Sequence, residues 1–184
     1  MKSLVGLFAL ALTIGLGATV VSAQKNPMVG GAEMYATKNI VENAINSKDH
    51  TTLVAAVKAA GLVDTLMSAG PFTVFAPTNE AFDKLPAGTV DTLLKPENKA
   101  TLTKILTYHV IAGNFSAKDV VAAIKKGNGT AEFTTVAGGK LKASFDGKSV
   151  ILTDEKGGKA RVTIADVKQS NGVIHVIDSV VLPN

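Results

Sequence analysis

Three histidines, His50, His109 and His175, and a few carboxylates are the residues of this chain that could do chemistry. Three imidazoles can hold zinc, but such ligands come at recognisable spacing. None of the three has a His or Glu partner at helical or strand spacing, and His50 sits in the polar stretch Ser47 to His50. No metal and no cofactor are therefore expected. His175 lies in a strand-like run from Gly172 to Asp178. Side chains alternate along a strand, so Val173, His175, Ile177 and Ser179 share one face and Ile174, Val176, Asp178 and Val180 the other. That alternation rules out a His175–Asp178 pair. Both faces are largely apolar, so a buried strand is expected, with the His175 ring bonded to backbone or to a neighbouring side chain. Ser170 and Ser179 lack a nucleophile-elbow pattern. Thr78, Asn79, Glu80 and Asp83 cluster in sequence without a base or metal partner. Gly138-Gly139-Lys140 lacks the spacing and following helix of a phosphate loop. The chain has no cysteine, which removes a thiolate nucleophile, a Cys metal site and a disulfide framework. Tyr108-His109 reads as the start of a short strand ending at Ile111. Adjacent strand residues face opposite ways, so at most one of the pair is expected fully inward, and the other could make an amphipathic surface contact.

The elements that would position these residues centre on Pro71 to Leu85. Phe72 to Ala76 are aromatic, β-branched or small, as a strand prefers. Pro77 ends the strand, Thr78 can cap a helix, and Phe82 and Leu85 lie one turn apart on it. Before this corner, Thr37 can cap a helix with Ile40, Val41, Ala44 and Ile45 on one face. A second helix from Thr51 to Ala60 turns Leu53, Val54 and Val57 inward and ends at Gly61. After the corner come a short helix over Thr89 to Leu94, a longer one from Pro96 to Thr107, and a helix from Ala117 to Lys126. Pro96 suits a first turn. Ser116 and Asp119 have capping-box spacing for the last helix. From Thr130 the pattern changes to strands, broken at Gly138-Gly139, Asp146-Gly147, Gly157-Gly158 and Asn171-Gly172. The Asp-Gly and Asn-Gly steps supply the positive φ of tight turns. Helices first and strands last, with one strand inserted early, predict an α+β domain with a largely antiparallel sheet.

The first 23 residues read as a secretory signal peptide: Lys2, an apolar run from Leu4 to Val21, and Val21-Ser22-Ala23 at the cleavage position. Residues 24–35, with Pro27, Gly30 and Gly31, are expected to be a flexible lead-in, and 36–184 the folded domain. The formal charge of +4 is spread over scattered lysines, with Arg161 the one arginine. This is a solvated surface rather than a nucleic-acid footprint. Asn114-Phe115-Ser116 and Asn128-Gly129-Thr130 fit the glycosylation sequon.

Three separated segments resemble one family. Residues 73–82, TVFAPTNEAF, are similar to the first signature of fasciclin-type domains, and residues 171–183, NGVIHVIDSVVLP, to the second. Tyr108-His109 matches the Tyr-His pair between them. The resemblance covers roughly Tyr35 to Asn184 and is that of a bacterial secreted single-domain member. It implies a β-wedge of two mainly antiparallel sheets packed with several short helices, the two signatures forming adjacent central strands. It also implies a secreted, non-enzymatic binding module for cell adhesion or surface and matrix association. In animal members the Tyr-His pair and an Asp-containing motif before the second signature are tied to integrin binding. These map to Tyr108, His109 and Asp166, although the residues flanking Asp166 differ from the animal forms. Expected partners are cell-surface or extracellular-matrix proteins or polysaccharides, with no nucleic acid and no stable membrane span after cleavage. A monomer located in the periplasm or outside the cell is expected. Two other functions carry less support: a periplasmic carrier of a small ligand held between the short helices, and a hydrolase using His109 or His175 with Asp166.

Overall fold

In the computed structural model, which describes residues 26–184, the chain opens on a hairpin of β1 (Met28–Val29) and β2 (Ala32–Glu33). The signal peptide expected over 1–23 lies outside the described residues. The lead-in, expected to be flexible over 24–35, is docked from residue 28 onward, because Val29 and Met34 are buried in the core. Gly30 takes the positive φ, 57°, that its tight turn requires. Helix α1 (Ile40–Ala44) is capped by Asn39, not Thr37: Asn39 Oδ1 accepts the Glu42 N–H at 2.9 Å, and Glu42 Oε2 accepts the Asn39 N–H at 2.8 Å. Ile45 falls beyond the helix and is exposed.

A 3₁₀ turn (Lys48–His50) leads into α2 (Thr51–Ala60), which buries Leu53, Ala56, Val57 and Ala60 and ends at Gly61 in the left-handed region. Then come α3 (Val63–Met67), β3 (Phe72–Pro77), α4 (Asn79–Asp83) and α5 (Thr89–Leu93). The Thr78 hydroxyl accepts the Ala81 N–H at 3.3 Å, so the corner after β3 starts a helix as its sequence requires. Pro96 opens a 3₁₀ turn (Pro96–Asn98), and the α-helix proper, α6 (Lys99–Tyr108), begins three residues later than expected. Strand β4 (Val110–Ala112) and α7 (Ala117–Lys126) follow, the latter with the full Ser116/Asp119 capping box. The strand-rich end comprises β5 (Thr130–Thr134), β6 (Lys140–Asp146), β7 (Ser149–Thr153), β8 (Lys159–Gln169) and β9 (Gly172–Ile177).

Seven strands hydrogen-bond in the order β4-β3-β9-β8-β7-β6-β5. All neighbours are antiparallel except β3 and β9, which run parallel with Phe72 opposite Gly172 and Pro77 opposite Ile177. The two signature segments are therefore adjacent central strands. The wedge comes from β8. Its first residues pair with β7 and the rest with β9, and bulges between Val162 and Val167 bend it where it changes partner. Each limb has its own core. Val74, Ala76, Ile174 and Val176 face helices α1 to α6, while Phe75 and Ile177, on the opposite face of the same two strands, pack with Leu141, Leu152 and Ile124 under α7. Both faces of β3 and β9 are thus covered, which explains why their sequence runs apolar without alternation.

Candidate functional site

Helix α6 carries the Tyr-His pair. Leu102, Ile105 and Leu106 form its inward stripe, and Tyr108 and His109 lie three and four residues beyond Ile105, so the helical period continues through both. The expected strand start is thereby corrected. Tyr108 is the last helical residue, His109 retains helical φ and ψ, and the strand begins at Val110. Strand alternation does not apply to a helical pair, and both side chains are inward, 0% and 2% exposed.

Each is tied to a different segment. The Tyr108 hydroxyl donates to the Lys140 carbonyl at 2.6 Å and accepts the Glu155 N–H at 3.3 Å. Burial pushes its pKa up to about 12, so it stays a phenol. His109 Nδ1–H donates to the Ile105 carbonyl at 2.8 Å, and Nε2 accepts the Val181 N–H at 3.2 Å. Burial lowers its pKa to about 4, against the opposing pull of the Ile105 carbonyl. The ring is a neutral bridge between the end of α6 and the C-terminal segment, with no nitrogen left over for a substrate.

His175 is used in the same way. Its Nε2–H donates to the Phe115 carbonyl at 2.8 Å and its Nδ1 accepts the Asp166 N–H at 3.3 Å, while the ring stacks on Phe75 with centroids 5.6 Å apart. Burial lowers its pKa as well. Asp166 is exposed at the bulge of β8 with φ at 58°, and its Oδ1 accepts the Ala117 N–H at 2.7 Å at the start of α7. No direct contact joins Asp166 to the Tyr-His pair. The link runs through the core: the Phe75 N–H donates to the His109 carbonyl at 2.9 Å, and Phe75 stacks on His175. A hydrolase would need an imidazole with a free nitrogen within reach of substrate, which neither His109 nor His175 presents. Among the described residues, no three His, Asp or Glu converge as metal ligands would.

His50, expected in a polar loop, is buried where the 3₁₀ turn meets α2. Ser47 Oγ lies 2.8 Å from its Nδ1, and burial lowers its pKa. Among the described residues its Nε2 has no partner in hydrogen-bond geometry; the Ala76 carbonyl faces the ring from outside that geometry. The ring borders an apolar crevice between the short helices and β3, lined by Val41, Leu53, Val57, Leu106 and Ile174 among others. This is where a small-ligand carrier would hold its cargo. Its volume is about 50 Å³, whereas ligand sites usually measure about 300–1,000 Å³, so the space is a packing crevice.

Several side chains do more than their sequence signals suggested. Asn171 reads as half of an Asn-Gly turn. Its Oδ1 also accepts the Ile40 N–H at 3.1 Å, and its Nδ2 donates to the Leu66 and Ser68 carbonyls at 2.7 and 2.9 Å. One buried amide thus fastens α1 and α3 to the start of β9. Thr73, a lone hydroxyl in an apolar strand, donates to the Gly113 carbonyl and accepts the Phe115 N–H, both at 2.8 Å. Asp154 gathers the N–H groups of Lys156, Gly158 and Leu182. A polar residue inside an apolar run marks Thr73 in the sequence; nothing local marks the partners of Asn171 or Asp154.

The fasciclin domain family model matches residues 48–183. Protein sll1483 of Synechocystis is 48% identical over 177 residues, covering 96% of this chain and 91% of that protein. The cell surface glycolipoprotein MPB83 of Mycobacterium bovis is 34% identical over 175 residues, covering 92% of this chain and 72% of its own length. In three dimensions the chain is similar to a FAS1 domain pair from the insect cell adhesion molecule fasciclin I, with a TM-score of 0.69 at 20% identity, over 79% of this chain and 51% of that one. At that identity the likeness concerns the fold. By the extent of the family match and the identity to these relatives, the chain belongs to the fasciclin domain family.

Proposed function

We propose that this protein is a secreted, non-enzymatic binding module that attaches to macromolecules at a cell surface or in the surrounding matrix. The observation that carries this reading is the burial of Tyr108, His109 and His175, whose polar atoms are all bonded within the fold. Groups spent in this way hold a surface in place and do not turn over a substrate. Among the residues expected to meet a partner, Asp166 is the one that reaches solvent. Tyr108 and His109 act at one remove, by fixing β6 and the C-terminal segment within the fold. The leader pattern in the sequence and a relative named as a cell surface glycolipoprotein agree with an address outside the cytoplasm. No described helix is long and apolar enough to cross a membrane.

The test is a binding screen of purified protein against intact cells, matrix proteins and polysaccharides. Saturable binding to at least one is expected, weakened by Asp166→Ala where the partner is a protein. Absence of saturable binding to all three classes overturns the reading.

A further inference from the structure

The hairpin of β1 and β2 has few ties to the body of the fold. Val29 and Met34 reach from it into the apolar crevice beside β3, and both are buried. Among the described residues, one hydrogen bond joins the stretch from residue 28 to residue 34 to the rest: the Lys48 N–H donates to the Gly30 carbonyl at 3.1 Å. Its remaining bonds pair β1 with β2 and Met34 with Pro27. The fixed end is Tyr35, whose N–H donates to Asn43 Oδ1 at 3.0 Å and whose carbonyl accepts the Asn43 Nδ2–H at 2.8 Å. Residues 28–34 are therefore a strap across the crevice, anchored by two apolar side chains and hinged at Tyr35.

The turn of the strap lies on the groups that hold His50. A Cβ on Gly30 would strike the Ser47 hydroxyl and stand 2.8 Å from the Lys48 nitrogen, so the turn is seated directly on the 3₁₀ turn. Ser47 Oγ lies in turn 2.8 Å from His50 Nδ1. Strap, Ser47 and imidazole form one continuous stack at the crevice wall. The ring is 3% exposed, and its Nε2 has no partner in hydrogen-bond geometry. A neutral ring is tolerated there. A protonated one would need an acceptor for its second N–H and water for its charge. Asp49 on the same turn and Glu80 on α4 favour the charged ring, and burial outweighs them. Lys58 lines the crevice from α2 and has the sign of a protonated ring. From α6 the crevice receives His109, neutral and bonded at both nitrogens. The β3 strand offers the ring the Ala76 carbonyl, and α1, α3, β8 and β9 line the crevice with apolar side chains.

We propose that residues 28–34 are an acid-released strap: protonation of His50 lifts the hairpin off the 3₁₀ turn while both cores stay folded, and the apolar crevice opens. Lifting the strap takes Gly30 away from Ser47 and withdraws Val29 and Met34, which admits water to the ring. The open form takes up its proton near the ordinary histidine value of about 6.5, the closed form only at lower pH. The opening equilibrium therefore rises by up to about tenfold per pH unit as pH falls below 6.5. Apolar surface from Val41, Val57 and Leu66 is then presented in acidic surroundings and covered at neutral pH. The device does not depend on the surface-binding reading.

The experiment measures amide hydrogen exchange by NMR at pH 7, 6 and 5, expressed as protection factors so that the intrinsic pH dependence of exchange cancels. The Lys48 amide reports the strap, because its acceptor is the Gly30 carbonyl, and the Phe75 amide reports the core. In the parent protein, protection at Lys48 should fall by up to about tenfold per pH unit below 6.5, ahead of any change at Phe75. In His50→Gln the Lys48 series should become flat, while the decline at Phe75 set by His109 and His175 persists. Val29→Ala removes one anchor of the strap and keeps His50, so protection at Lys48 should drop at every pH with the slope retained. This second variant decides the matter where His50→Gln does not fold. A flat Lys48 series in the parent, a fall in step with Phe75, a slope retained in His50→Gln, or unchanged Lys48 protection in Val29→Ala overturns the proposal.

Discussion

Tyr108 and His109 are consecutive in sequence and anchor different segments, the phenol reaching β6 and the imidazole the C-terminal segment. Tyr108→Phe removes the donor to Lys140 and the acceptor for Glu155, and should cost about 1–3 kcal/mol in chemical denaturation. Tyr108→Ala also empties a fully buried ring site, and about 3–5 kcal/mol is expected. Because the side chain has no exposed surface, binding per folded molecule should be unchanged in the Phe variant. A loss of binding without a loss of stability would show that the ring reaches a partner. His109 sets a pH dependence. The unfolded chain takes up its proton near pH 6.5, the folded ring only near 4. The stability present above pH 6.5 is therefore lost as pH falls from 6.5 towards 4, by about 3 kcal/mol from this residue. His50 and His175 are shifted the same way and add to the slope. Urea unfolding midpoints at pH 7, 5.5 and 4.5 should decline in that order; a flat series would contradict neutral burial of these rings.

At the scale of elements, the parallel contact of β3 with β9 holds the two signatures together, and Gly172 permits it. A Cβ there would sit 2.0 Å from the Phe72 carbonyl oxygen, so Gly172→Ala must push the strands apart or break their pairing. A destabilisation of about 3 kcal/mol is expected, with hydrogen exchange rising first in β3 and β9. A thermal melt matching the parent would mean the strands pass less closely than described. The bend in β8 is a second device of this kind. It delivers Asp166 to the start of α7 and leaves Arg161 paired with β7, on one strand of eleven residues.

For the molecule as a whole, Phe75 is the joint between the two cores. It belongs to the limb under α7, its N–H meets the His109 carbonyl, and its ring stacks on His175. Phe75→Ala should cost about 3–5 kcal/mol and loosen both limbs in a single transition. Two separate transitions would show that the limbs fold independently. Asp166, at the bulge of β8, lies outside this joint, on the exterior that the buried signatures support.

Much of this was legible locally. The corner from Phe72 to Leu85, the capping box at Ser116, the end of α2 at Gly61 and the apolar run of β9 follow from side-chain shape, spacing and backbone preference, which act between near neighbours. The two signatures also named the family. What local rules could not reach was the partner of each polar group. Tyr108 and His109 were misread as a strand because a helix end and a strand start share apolar residues, and only packing against both limbs decides between them. The hairpin at 28–33 looked flexible because its glycines are local, while the burial of Val29 and Met34 depends on helices that come later. Asn171 and Asp154 reach partners 131 and 28 residues away along the chain. Such contacts exist only after the chain has closed, so the sequence by itself determined the elements and the family, and the tertiary structure decided which residues are core and which reach solvent.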